Sequence, residues 1–278
     1  MAHIGVIEEL EKLGFEISSV AGASIGSVIG GIYATDQLRE YTKWVRNLHK
    51  FDVYKLMDFS VSSQGFIKGD KVFNEIQKFI PDRRIEDLAI PFAAVAADPH
   101  NRKERVFTRG SLFRAIRASI AIPGVVLPSR INDVDLVDGG VVNPIPADHV
   151  KRTDGDILVV VDLNSSFSYH KPNYDLDAQK ANEAQYRMVL AKIRKKLGVS
   201  EKTNKDKKSR PGYYDLLNNS IYLMQEKLSE LTLRLHKPDI LIRIPRTACK
   251  TFEFYRANEL IEAGREAFLK SYSEWKTK

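Results

Sequence analysis

The stretch Ile17-Ser18-Ser19-Val20-Ala21-Gly22-Ala23-Ser24-Ile25-Gly26-Ser27 constrains the fold more than any other part of this 278-residue chain. It opens as a short apolar run with β-branched residues and closes into Gly-Ala-Ser-Ile-Gly. Val28, Ile29, Ile32 and Tyr33 then follow at helical spacing, so the pattern reads as strand, sharp turn, helix. A serine at the centre of such a turn sits in strained backbone with its hydroxyl pushed outward. Gly22 and Gly26 let strand and helix approach closely enough to make the turn. The Ile25 N–H falls at the N-terminus of the new helix, where the dipole and unpaired amides favour a developing negative charge. Ser24 is therefore a candidate nucleophile. Gly-x-Ser-x-Gly also occurs in ordinary turns, so the rest of the chain must supply its partners.

Strands and helices alternate along the sequence without repeats. Residues 2–14 read as a helix striped by Ile4, Ile7, Leu10 and Leu13, with Gly14 as its stop. A helix of about residues 37–48 follows, with Tyr41, Trp44, Val45 and Leu48 on its apolar face. Residues 51–69 show no clean period and read as a loop or lid-like connection, after which Asp70 caps a helix to about Phe79. Residues 90–97 form a buried strand, residues 105–108 a short antiparallel one, and Ser111 opens a helix over 112–119. Val134–Val137 is a strand ending in Asp138-Gly139-Gly140. Residues 157–163 are apolar nearly throughout and read as a central strand. Residues 173–197 and 212–235 read as helices, 239–244 as a last strand and 253–275 as a closing helix. The expectation is one three-layer α/β/α domain over residues 1–278 with a mostly parallel sheet, a core at 1–165 and a mainly helical part at 166–278.

A serine hydroxyl needs a base within hydrogen-bond reach. Asp138 is the best candidate, at the carboxyl end of a strand where open α/β sheets place their sites, with Gly139 and Gly140 allowing a tight turn behind it. A triad of the α/β-hydrolase type is the rival; it would recruit His149, His170 or His236, but that fold places several strands before its nucleophile. No His-x-x-x-His or paired-cysteine spacing suggests a metal, and Asp133, Asp135 and Asp138 alternate along a strand instead of forming a calcium loop. Asp98 is either a structural turn residue or a functional one, and Arg117 an ion-pair or packing residue. The single cysteine, Cys249, fits a reducing compartment and reads as a buried thiol. The net charge of +7 is local: nine Lys/Arg against two acidic residues lie between Lys192 and Arg210, and the remainder of the chain balances. That distribution argues against nucleic acid. It leaves a solvated loop or a peripheral contact with anionic membrane. No run is apolar and long enough to span a bilayer, and no leader opens the chain.

Gly22-Ala23-Ser24-Ile25-Gly26 with Asp138-Gly139-Gly140 resembles the serine–aspartate dyad of the patatin-like phospholipases. Gly65-Phe66-Ile67-Lys68-Gly69, Ala97-Asp98, the segment from Ala115 to Pro123 and Asn143-Pro144-Ile145-Pro146 agree in order and spacing. The resemblance covers residues 1–165 well and the remainder loosely. It implies a patatin-like fold in which Ser24 attacks a lipid ester carbonyl and Asp138 takes its proton with no histidine between them. Water then releases the acyl group. Apart from the resemblance, the expectation is that no cofactor takes part and that the location is cytoplasmic, with peripheral membrane contact through Lys192–Arg210 as one option. In that family the oxyanion hole is a glycine-rich turn with a basic residue between the first strand and first helix. Met1-Ala2-His3 matches the start of that helix, so the expectation is an N-terminally truncated version. It would keep the Ile25 N–H and the amides near Met1 to His3 as oxyanion donors. Two readings follow: a hydrolase whose start lies upstream, or a weak or inactive relative acting as a membrane-surface binding module.

Overall fold

The computed structural model describes residues 1–57, 59–62, 65–67, 69–81, 83–172 and 212–277. Met1–Pro172 and Ile221–Lys278 together form one compact unit. The basic segment Lys192–Arg210 and the helix expected over 173–197 lie outside the described residues.

The chain opens with α1 (Ala2–Lys12), which ends as the Gly14 and Phe15 N–H groups bond back to the Glu11 and Leu10 carbonyls. Strand β1 (Val20–Ala23) runs into α2 (Ile25–Ala34), and α3 (Leu38–Arg46) follows with Tyr41 and Val45 buried. Residues 51–69 are more ordered than expected: α4 (Lys50–Leu56) is followed by the antiparallel pair β2 (Phe59–Ser62) and β3 (Gly65–Ile67). Helix α5 (Asp70–Gln77) begins after Gly69, and the Asp70 carboxylate does not cap it. Instead Asp70 pairs with Arg117 at 2.7 Å.

Every residue of β4 (Phe92–Asp98) is buried, as its unbroken apolar run requires. It pairs in parallel with β1 and antiparallel with β5 (Lys103–Phe107). Ser111 caps α6 (Leu112–Ser119), its Oγ accepting the Arg114 N–H at 3.3 Å. The hairpin of β6 (Ser129–Ile131) and β7 (Val134–Asp138) turns at Asn132 and Asp133, both left-handed at φ 50° and 61°. That reversal brings β7 back antiparallel to β4, with Ala96 opposite Asp138. The five-stranded sheet, in order β1-β4-β7-β6 with β5 on β4, is thus mixed, where the sequence pattern suggested mostly parallel strands.

Strand β8 (Val159–Ser165) pairs in parallel with β9 (Ile240–Pro245) as a separate two-stranded sheet among the described residues. It is half-buried, Val160 and Asp162 facing inward, and is not the central strand its composition suggested. Helix α7 (Tyr213–His236) precedes β9, and α8 (Ala257–Lys276) closes the chain. Cys249 is exposed, not buried.

The main core gathers Ile4, Ile29, Ile32, Leu112, Ile116, Ile242, Ile261 and Phe268, drawn from α1, α2, α6, β9 and α8. Helices α1 and α8 meet backbone to backbone, for a Cβ on Gly264 would stand 2.0 Å from the Ala2 carbonyl oxygen. No helix among the described residues is long and apolar enough to cross a membrane.

Candidate active site

Ser24 occupies the bend between β1 and α2 with φ 53° and ψ −130°, a conformation that non-glycine residues adopt only when their surroundings enforce it. Three contacts enforce it. A Cβ on Gly22 would stand 2.4 Å from the Gly26 carbonyl carbon and 2.5 Å from the Ser27 nitrogen, so only glycine permits this approach. The Ser24 N–H donates to Ser119 Oγ at 3.1 Å, and the Ser24 carbonyl accepts from Ser27 Oγ at 2.7 Å. Ser27 and Ser119 are both fully buried. Both lay in segments singled out from the sequence, yet their grip on the bend depends on folding and could not be read from it.

Asp138 arrives from the end of β7. Its Oδ2 accepts the Ser24 hydroxyl at 2.5 Å and its Oδ1 accepts the Gly140 N–H at 2.7 Å. Gly139 sits directly beneath, against the Val95 carbonyl of β4. Residues 114 apart in sequence are thus brought into contact with no group between them. Asp138 is 4% exposed. Burial pushes its carboxyl up to about 6, although the bonds from Ser24 and Gly140 and the charge of Arg246 pull the other way. A group in that position changes charge near neutral pH.

The amides of Ile25 and Gly26 begin α2 beside the Ser24 hydroxyl, and neither finds an acceptor among the described residues. His3 of α1 lies against the same turn, its Nε2 3.7 Å from where a Gly26 Cβ would be. Its Nδ1 is buried without a partner among the described residues, and burial pulls the imidazole down to about 3, so the ring is neutral at physiological pH. The sequence reading places main-chain amides near Met1 to His3 at the oxyanion but assigns the His3 side chain no role.

Among the described residues no hydrogen bond joins His149, His170 or His236 to Ser24 or Asp138. His149 contacts Glu104 at 3.1 Å and Asp148 at 3.3 Å, and His170 bonds the Ser168 carbonyl. Glu104, Asp148 and His149 are close enough to share a cation, but they are exposed or half-buried and pair with one another and with Asn143. Asp98 serves the β4–β5 turn through two 2.9 Å bonds from Asn101. Arg117 pairs with Asp70 and lies 4.6 Å over the Phe73 ring.

On the other side of Asp138 stand three residues that no motif signalled. Gln225 of α7 has its amide nitrogen 3.0 Å from where a Gly140 Cβ would be. Its Oε1 accepts from Arg246 at 3.3 Å, and Arg246 also donates to Asn164 Oδ1 at 2.9 Å.

Residues 1–151 match the family model described as patatin-like phospholipase. An uncharacterized NTE family protein of Mycobacterium tuberculosis is 31% identical over 307 residues, covering 95% of this chain and 85% of that protein. Patatin-like phospholipase domain-containing protein 6 of Homo sapiens is 31% identical over 172 residues, or 59% of this chain and 12% of that much longer protein. Among solved structures, VipD from Legionella pneumophila aligns with 98% of this chain and 64% of its own at a TM-score of 0.46 and 11% identity.

Proposed function

Because the chain belongs to the patatin-like phospholipase family, we propose that it is a lipid acyl hydrolase working through Ser24 and Asp138. Family membership supports lipid hydrolysis in general terms. The observation that carries the finer reading is the 2.5 Å hydrogen bond from Ser24 Oγ to a buried carboxylate.

In the proposed sequence Ser24 Oγ attacks the carbonyl carbon of an ester while its proton passes to Asp138 Oδ2. The carbonyl π pair moves onto oxygen, and that oxyanion is held by the Ile25 and Gly26 amides at the positive end of α2. As the tetrahedral species collapses, the bond to the leaving oxygen breaks and the Asp138 proton goes to that oxygen, releasing the alcohol. Water then attacks the acyl-serine and gives its proton to Asp138. The second tetrahedral species expels Ser24, which recovers the proton, and a carboxylic acid departs. A carboxylate at its ordinary basicity is a weak base toward an alcohol; the upward shift of Asp138 narrows that mismatch. Ser24 is strained and already hydrogen-bonded, so little reorganisation precedes attack.

The test is hydrolysis of a short-chain p-nitrophenyl ester and of a phospholipid, with labelling by a fluorophosphonate and mapping of the adduct. The parent should hydrolyse ester and carry the label on Ser24, and Ser24→Ala should lose the label and about a thousandfold or more in kcat. A Ser24→Ala variant as active as the parent, or a label on another serine, would overturn the assignment.

A further inference from the structure

Arg246 opens the 3₁₀ turn Arg246–Ala248 that follows β9. Its Nη1 donates to Asn164 and Gln225, and its guanidinium carbon lies 3.2 Å from the centroid of the Tyr222 ring. Asn164 is itself fixed, its N–H on Asp162 Oδ1 at 2.8 Å and its side-chain amide nitrogen on Ser229 Oγ at 3.4 Å. Two neutral amides and an aromatic face thus orient this cation, and the Asp138 carboxyl feels its charge without forming an ion pair with it. Among the described residues no carboxylate pairs with it, and its Nε and Nη2 have no acceptor. A guanidinium held at one nitrogen and one face, with its other N–H edge unfilled, has the geometry that takes two oxygens of an oxyanion.

Its place beside the dyad decides which part of a substrate it meets. Gln225 accepts from Arg246 and lies beside Gly140, whose N–H bonds Asp138 Oδ1, so the guanidinium stands in the neighbourhood of Asp138, close enough for its charge to act on that carboxyl. The Ile25 and Gly26 amides belong to the other partner of the dyad, at the Ser24 turn. In acyl transfer the carbonyl oxygen turns toward the amides, whereas the leaving oxygen must face the group that returns the proton, Asp138. A leaving oxygen that faces Asp138 brings what is attached to it into the neighbourhood of Arg246. In a glycerophospholipid that portion carries the phosphate; in a neutral glyceride it carries no charge.

We propose that Arg246 is a specificity-determining residue that binds a phosphate borne by the leaving alcohol of a lipid ester. The proposal rests on the hydrolase reading above, and the experiment separates the two. A monomeric lysophospholipid and a monoacylglycerol of the same acyl chain are compared as substrates of the parent, Arg246→Gln and Arg246→Lys. The same lipids and inorganic phosphate are titrated calorimetrically into Ser24→Ala and into Ser24→Ala with Arg246→Gln. The ratio of kcat/KM for lysophospholipid over monoacylglycerol should fall about tenfold or more in Arg246→Gln and less in Arg246→Lys, which keeps the charge but not the fork. Lysophospholipid affinity should weaken by a similar factor, with monoacylglycerol affinity showing no matching loss. Equal losses for both lipids, an unchanged ratio, or inorganic phosphate binding as tightly as lysophospholipid would overturn it. If the parent hydrolyses neither lipid, the hydrolase reading fails while the titrations still judge Arg246.

Discussion

Asp138 faces two opposed requirements. As the proposed proton acceptor it must be ionised, yet burial favours its neutral form and moves it from its ordinary 3.8 to about 6. Hydrolysis should therefore rise with pH along a limb centred near 6, read from kcat/KM between pH 4.5 and 8. A limb near 4 would mean that the carboxyl is hydrated in solution. Stability carries the opposite sign. Between about 4 and 6 the folded protein binds more protons than the unfolded chain, so stability falls as pH climbs through that window and levels off above it. Asp138→Asn removes the buried charge, and at pH 8 it should be more stable than the parent by on the order of 1–3 kcal/mol while nearly inactive, with no gain at pH 4. Urea unfolding at the two pH values checks this; an Asn variant less stable at pH 8 would contradict the assigned cost of burial. Ser24 and Asp138, which the fold brings into contact, could be proposed from the sequence because each sits in a short motif whose glycines declare a turn. Ser119, Gln225 and Arg246 were not, because a lone serine, glutamine or arginine acquires meaning only when folding sets it against the dyad.

The bend that presents Ser24 works as an element only while β1 and α2 touch at Gly22. A Cβ there meets main-chain atoms of Gly26 and Ser27, which cannot rotate away. Gly22→Ala should cost about 3 kcal/mol or more and abolish hydrolysis with it. Gly26→Ala is the informative contrast, since its Cβ would find only His3 Nε2 at an ordinary 3.7 Å. It should change stability by less than about 1 kcal/mol in the same unfolding experiment. Equal costs at the two positions would show that helix propensity, not the close approach, governs the bend. Helices of eight residues or more and strands of seven were visible from periodicity, among them α1, α2, β4, α6, α7 and α8. Residues 51–69 were not. A seven-residue helix followed by strands of four and three residues is too short for either period to repeat, and the single turn of order supplied by Asp52 bonding the His49 N–H is ordinary loop chemistry in sequence.

At the scale of the whole molecule, pairing direction escaped the sequence reading because one hairpin turn decides it. Asn132-Asp133 reverses the chain and returns β7 antiparallel to β4, so the acid reaches the serine from a mixed sheet. The far end of the chain also bears on the site: α8 clamps α1, and α1 sets His3 against the Ser24 turn. The clamp has an ionic centre at Arg265, which bonds Glu8 at 2.7 Å, Glu262 at 3.1 Å and the carboxylate of Glu9. Glu9 is 1% exposed, and its other cationic partner, Lys12, is 3.4 Å away on a largely exposed stem. Arg265→Ala would leave Glu9 charged inside the core with that weak partner alone, a situation costlier than never having buried the pair. The expected loss is on the order of 2–4 kcal/mol, below the range for a fully enclosed pair because Arg265 is a quarter exposed. Adding Glu9→Gln should restore part of that stability by removing the stranded charge, and hydrolysis should follow stability in both variants, since neither residue touches the dyad. Urea unfolding and ester hydrolysis on the two variants measure both effects. If Arg265→Ala unfolds within about 0.5 kcal/mol of the parent, the helices are held by their apolar and backbone contact alone, and the ion pairs at their crossing contribute nothing to holding α1 against the active site.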